Sequence, residues 1–108
     1  MKCKNISKCD MNYIVQILGN RWNLVIIWNL NEESLRFTEL KKRMGDVNSK
    51  TVTTHLRELE KFHIINRVVY PEVPPRVEYS LTEHGKAFLP VLEVIRTWGS
   101  SLPAPLEK

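Results

Sequence analysis

The chain's hydrophobic positions follow helical spacing up to about residue 62 and then change period. Met11, Ile14, Val15, Ile17 and Leu18 keep that spacing behind Asp10, a residue able to cap exposed N–H groups, and Gly19 follows as a stop. Asn20 is placed to cap a second helix, Arg21 to about Leu30, in which Trp22, Val25, Ile26 and Trp28 leave little polar surface. A helix apolar on most sides belongs in a core. Asn31-Glu32-Glu33-Ser34 reads as a polar turn, Leu35-Arg36-Phe37 as a short extended piece, and Thr38 as the cap of a third helix, Glu39 to Met44.

Gly45-Asp46-Val47-Asn48 has the length of a turn joining two helices at a steep angle, and Ser49 can cap the next helix, Lys50 to about Phe62. In that helix Val52, Leu56, Leu59 and Phe62 fall on one stripe at i, i+4, i+7 and i+10, which suits a core. Lys50, Thr51, Thr54, Arg57 and Lys61 lie away from the stripe, on a face whose first half carries no acid. Ile64 to Tyr70 and Arg76 to Leu81, rich in Val, Ile and Tyr, then predict a hairpin. The three prolines of Pro71-Glu72-Val73-Pro74-Pro75 interrupt its ladder. Thr82 can cap a last helix, Glu83 to about Trp98, with two apolar stripes, Ala87-Val91-Val94-Trp98 and Phe88-Leu92-Ile95; Pro90 inside it should bend it. The tail, about residues 101–108 with Pro103 and Pro105, is expected to be disordered.

This order of helices, turn and hairpin is that of a winged helix-turn-helix, in which one helix enters the major groove and the hairpin flanks it. The fold class expected is therefore mainly α with a small β-hairpin, an α+β domain dimerising through its terminal helices. With 108 residues and 43% hydrophobic composition, the chain suits one domain over 1–108 with one core.

Charge sharpens the picture. The formal net charge is +4, and the surplus sits between Arg36 and Arg67, where Arg36, Lys41, Lys42, Arg43, Lys50, Arg57, Lys61 and Arg67 face only Glu39, Asp46, Glu58 and Glu60. A basic segment centred on a helix-turn-helix suits a polyanion. Cys3 and Cys9 are too few for a disulfide framework, and His55, His63 and His84 lack paired ligand spacing, so neither a metal nor a cofactor is expected. No glycine-rich phosphate loop, nucleophile elbow or paired-carboxylate motif points to an enzyme. The longest apolar stretch, Leu24 to Trp28, falls far short of the ~20 residues of a membrane span. The first residues lack the apolar middle of a signal peptide, so a cytoplasmic location is expected.

Particular residues narrow the fold to a family. Cys9, Ile17-Leu18-Gly19-Asn20-Arg21-Trp22, Arg36-Phe37-Thr38-Glu39-Leu40, Leu56-Arg57-Glu58-Leu59-Glu60 and above all the wing segment Tyr70-Pro71-Glu72-Val73-Pro74-Pro75-Arg76-Val77-Glu78-Tyr79-Ser80-Leu81-Thr82 resemble the HxlR family of bacterial regulators. The resemblance runs from Cys9 to about Gly99. It implies a homodimeric DNA-binding regulator, with some members sensing electrophiles or oxidants through the cysteine that Cys9 matches. Where the family commonly has proline after that cysteine, this chain has Asp10, whose carboxylate disfavours a thiolate beside it.

The expected partners are double-stranded DNA with a palindromic operator and a second copy of the chain, with no membrane; a small-molecule or electrophile effector fits the family. Thr51, Thr54 and Arg57 are the candidates for base edges and Lys50 for phosphate, with Thr38 and Lys41 near the backbone and Arg76 reaching DNA from the wing. The bland alternative for Arg67 and Arg76 is cross-strand pairing with Glu78 or Glu72. Cys9 is the redox-sensing candidate. Ile14, Phe88, Leu92, Ile95 and Trp98 are assigned to a two-fold interface. A winged helix serving protein–protein contact is the competing function, and it would not need the cationic face.

Overall fold

The computed structural model describes residues 10–106, with side chains from Ile14 onward. Helices α1 (Asp10–Leu18) and α2 (Arg21–Asn29) are followed by strand β1 (Leu35–Arg36), α3 (Phe37–Met44), α4 (Ser49–Lys61), strands β2 (Ile65–Tyr70) and β3 (Arg76–Leu81), and α5 (Glu83–Ser100). The extended piece at Leu35 proves to be a third strand: the antiparallel sheet has the order β1-β3-β2, with Leu35 opposite Tyr79 and Arg36 opposite Glu78. Two residues have no periodicity of their own, so only the partner strand reveals them. β2 and β3 pair from Ile65–Leu81 to Tyr70–Arg76, as a hairpin requires.

Capping sets the helix starts. Asn20 accepts from the Trp22 N–H at 2.9 Å, as its position predicts. The next two caps differ from expectation by one or two residues. Asn48, not Ser49, caps α4 by accepting from the Thr51 N–H at 2.8 Å. Arg36, not Thr38, is the N-cap of α3, where the Glu39 carboxylate reaches back to the Arg36 N–H at 2.9 Å. Thr38 is thereby a helical residue with an exposed side chain. Thr82 caps α5 by accepting from the Gly85 N–H at 3.0 Å and donates to the His63 carbonyl at 2.6 Å, tying the helix start to the end of α4. Gly85 is required there: a Cβ would stand 2.3 Å from the Ile64 carbonyl oxygen. α4 closes on His63 in the left-handed region, φ 62°, with Ile64 N–H donating to Leu59 and His63 N–H to Glu60.

The core gathers residues from every element but α1, whose Ile17 packs against it half-buried. Ile26, Ile27, Leu30, Leu35, Leu40, Met44, Val47, Val52, Leu56, Leu59, Ile65, Leu81 and Leu92 are buried together. The two stripes of α5 separate. Leu92 joins the core and Phe88 packs against it, whereas Val91, Val94 and Trp98 of the other stripe are exposed. Helix α5 runs unbroken through Pro90 to Ser100, two residues beyond the predicted end, and no helix is long and apolar enough to cross a membrane among the described residues.

A candidate nucleic-acid interface

The helix-turn-helix is built from α3, the four residues Gly45–Asn48 and α4. Gly45 adopts φ 87°, in the left-handed region that suits glycine, and Val47 is buried, so the turn is anchored by its own apolar residue. α4 then buries Val52, Leu56 and Leu59 and presents Lys50, Thr54, Arg57 and Lys61 to solvent, with Thr51 half-buried at the edge. Neither Lys50 nor Arg57 is ion-paired with a carboxylate among the described residues, so both cations are available. The Thr54 hydroxyl donates to the Lys50 carbonyl at 2.9 Å, which turns its methyl group into the free part of the side chain.

What fixes the rotation of α4 is a polar group the sequence reading missed. Asn23, in the middle of apolar α2, is 0% exposed. Its amide nitrogen donates to the Ile17 carbonyl at 3.1 Å and to Glu58 Oε1 at 2.8 Å, and its oxygen lies 3.0 Å from His55 Nδ1. With those two donations made by the amide, the ring nitrogen is the donor in the third bond. One side chain thus joins the end of α1 to two residues on the flank of α4. This also accounts for His55, which is half-buried and packed as a histidine of the interior rather than of the exposed cationic face. Asn23→Ala would strip partners from three groups in a mostly dry site. It is expected to lower unfolding free energy by about 1–3 kcal/mol, read from the urea midpoint. An unchanged midpoint would show that the network contributes nothing net.

The flanking candidates divide. Thr38 and Lys42 are exposed on α3 and Lys41 is half-buried there, while Arg43 is taken up by Glu33 at 2.8 Å. Arg76 is held on both sides, 3.0 Å from Glu72 and 3.0 Å from Glu78, and its guanidinium stacks on Tyr70 at 4.0 Å from the ring centroid. Its charge is engaged within the wing by the two carboxylates of the bland alternative, though Glu78 lies on its own strand and Glu72 in the loop, while its cross-strand partner is Tyr70; a DNA contact from Arg76 would have to break this arrangement. Arg67, which drew less attention in the sequence, is more loosely placed, 3.8 Å from Glu60. Of the interface candidates, Ile14 is half-buried and Ile95 and Trp98 are exposed, but Leu92 is spent on the monomer's own core. Cys9 lies outside the described residues. No group of three or more His, Cys, Asp or Glu able to hold a metal is found among the described residues.

Two helices leading into a helix-turn-helix, a three-stranded sheet ending in a wing and a long closing helix define a winged helix-turn-helix transcriptional regulator. Residues 17–105 match the model of the HxlR-like helix-turn-helix, and the chain belongs to that family. It is 42% identical over 99 residues to an uncharacterized HTH-type transcriptional regulator of Halalkalibacterium halodurans, covering 91% of this chain and 88% of that one. A second such regulator, of Methanothermobacter thermautotrophicus, is 43% identical over 91 residues, covering 84% and 70%. Among solved structures, the reduced form of the transcriptional regulator YodB from B. subtilis superposes with a TM-score of 0.81 at 33% identity, covering 99% of this chain and 100% of that chain. The redox regulator HypR in its oxidized form gives 0.79 at 32% identity, covering 90% and 100%.

Proposed function

We propose that the protein is a homodimeric, sequence-specific binder of double-stranded DNA, not an enzyme, that places α4 in the major groove with the β2–β3 wing alongside. The carrying observation is the face of Lys50, Thr54, Arg57 and Lys61: exposed, cationic and presented by a helix whose other sides are locked by the core and by Asn23. Thr51 and Arg57 are then placed for base edges, Thr54 offers its methyl to a thymine, and Lys50, Lys41 and Thr38 meet phosphates. A two-fold dimer sets two α4 helices about one DNA turn, ~34 Å, apart and calls for a palindromic operator. The names of YodB and HypR favour a thiol-responsive version of this reading, with Cys9 as the responding group.

Selection of bound sequences from random duplexes, run under reducing and oxidising conditions, tests the reading directly. Recovery of a palindrome supports it, and recovery of no sequence favours a winged helix used for protein contact. On the selected operator, Arg57→Ala is expected to cost about 1–3 kcal/mol and to relax one base position, whereas Lys50→Ala weakens operator and random DNA alike. Equal losses on both DNAs for Arg57→Ala would place that side chain on the backbone instead.

A further inference from the structure

Between the C-terminal half of α4 and the sheet lies an open cleft of about 580 Å³, lined by Thr53, Arg57, Glu60, Lys61, Arg67 and Tyr79 among others. Three of these residues are cations and one is an acid. Lys61 extends the line of Lys50, Thr54 and Arg57 by one more helical turn, so the cleft borders the recognition face. Arg67 and Tyr79 are cross-strand partners, one pleat outward from the buried pair Ile65–Leu81, at the point where the sheet leaves the core and becomes the wing.

The charges in this cleft are poorly satisfied by one another. Arg67 Nε stands 3.8 Å from Glu60 Oε2, beyond hydrogen-bond distance, with the two side chains 47% and 41% exposed. Lys61 has the Phe62 ring 5.9 Å away and no carboxylate paired with it among the described residues. Burial raises the Tyr79 hydroxyl above its ordinary range, against the lowering pull of Arg67 and Arg57, and Glu60 raises it further. The phenol therefore keeps its proton at neutral pH and remains a donor.

We propose that this cleft seats a phosphodiester of the DNA backbone beside the major groove, gripped by Lys61 and Arg67 with the Tyr79 hydroxyl as a neutral donor, and that Glu60 holds Arg67 until DNA replaces it. The inference rests on the DNA-binding reading and adds to it a contact on the wing side of α4. Bases face the helix, whereas the sugar–phosphate strand rides the groove wall, where the junction of recognition helix and wing meets it. An open cleft of exposed cations competes poorly with water for a free anion. A phosphate delivered by an already docked duplex arrives at high effective concentration.

The test uses the full-length protein and the selected operator, with affinity measured across a salt series. Arg67→Gln and Lys61→Gln combined should flatten the slope of log affinity against log salt by about 1.8, about 0.9 for the phosphate lost in each half of the dimer, and weaken operator and random duplex by the same factor, roughly tenfold or more, with each single variant losing part of this. Tyr79→Phe should weaken binding without changing the slope. Glu60→Gln should tighten binding severalfold, a gain that misfolding cannot imitate. One methylphosphonate linkage at the responsible position should weaken the unmodified protein more than Arg67→Gln, and should matter least to the variant lacking both cations. Slopes unchanged in both cation variants, with the unmodified protein still binding, would overturn the cleft assignment and leave the DNA reading intact. Failure of the unmodified protein to bind any duplex would remove both. If millimolar inorganic phosphate alone raises the melting temperature of the unmodified protein but not of Arg67→Gln, the cleft takes a free anion and the phosphodiester assignment is wrong.

Discussion

Raising salt from 50 to 200 mM is expected to weaken duplex binding about a thousandfold or more, the largest response to any simple change of solution conditions. Each phosphate neutralised releases condensed counterions, and log affinity falls with log salt by about 0.9 per phosphate on B-form DNA. About six such contacts per bound protein give a slope near −5.4, which over a fourfold rise in salt amounts to a little over three decades. A dimer has the cations to supply them. Lys42, Lys50, Arg57 and Lys61 are exposed in each copy, and Lys41 is half-buried beside them. Of the four acids in the basic segment, two are occupied elsewhere, Glu58 by Asn23 and Glu39 by the α3 N-terminus. Fluorescence anisotropy over the salt series checks the expectation. A flat response would mean that the +4 charge is spread over a solvated surface and that the winged helix serves a protein partner.

Most of the architecture was legible because it rests on local signals. Asn20 and Thr82 precede their helices as side-chain caps, the stripe of Val52, Leu56 and Leu59 orients α4, and the proline turn separates β2 from β3. Roles that depend on partners far along the chain were not legible. Asn23 is an ordinary polar residue until its contacts, 32 and 35 positions away in His55 and Glu58, are known. The pairing of β1 with β3 spans 44 residues between Leu35 and Tyr79. On the wing, the sequence assigns Arg76 to DNA, and Arg76 stands beside the proline turn. That place surrounds Arg76 with Glu72, Glu78 and Tyr70 and leaves Arg67 the looser cation. Spacing counts residues of each sign but not which of them neutralise one another. The two stripes of α5 were likewise visible in the sequence, but which one the monomer would bury was decided by α2 and the sheet.

Trp98→Asp, or Ile95→Asp, is expected to convert the protein to monomers and to lower operator affinity by about a hundredfold to ten-thousandfold. The monomer leaves an apolar surface uncovered: along one side of α5, Val91, Val94, Ile95 and Trp98 form an apolar line continued by Leu102, with Val94 67% and Trp98 63% exposed. Beside it, Leu24, Trp28, Leu92 and Ile95 border a groove of about 260 Å³ between α2 and α5, and Val15 on α1 is exposed as well. A contiguous apolar surface of this kind on a small domain marks an interaction site. A second copy is the occupant a palindrome-reading regulator requires, because a two-fold axis lets the same patch cover itself. An aspartate in the middle of that surface must be desolvated for the copies to meet, at a cost of several kcal/mol unless it stays in water. Loss of the dimer then removes the advantage of tethering two α4 helices to two half-sites. The choice of position matters: Leu92→Asp would place the charge in the monomer core and unfold the protein, whereas Trp98 and Ile95 are exposed and their variants should keep the unmodified melting behaviour of a folded monomer. Light scattering gives the mass and anisotropy the affinity. A monomeric unmodified protein at micromolar concentration, or an aspartate variant that stays dimeric with full affinity, would move the interface away from α5.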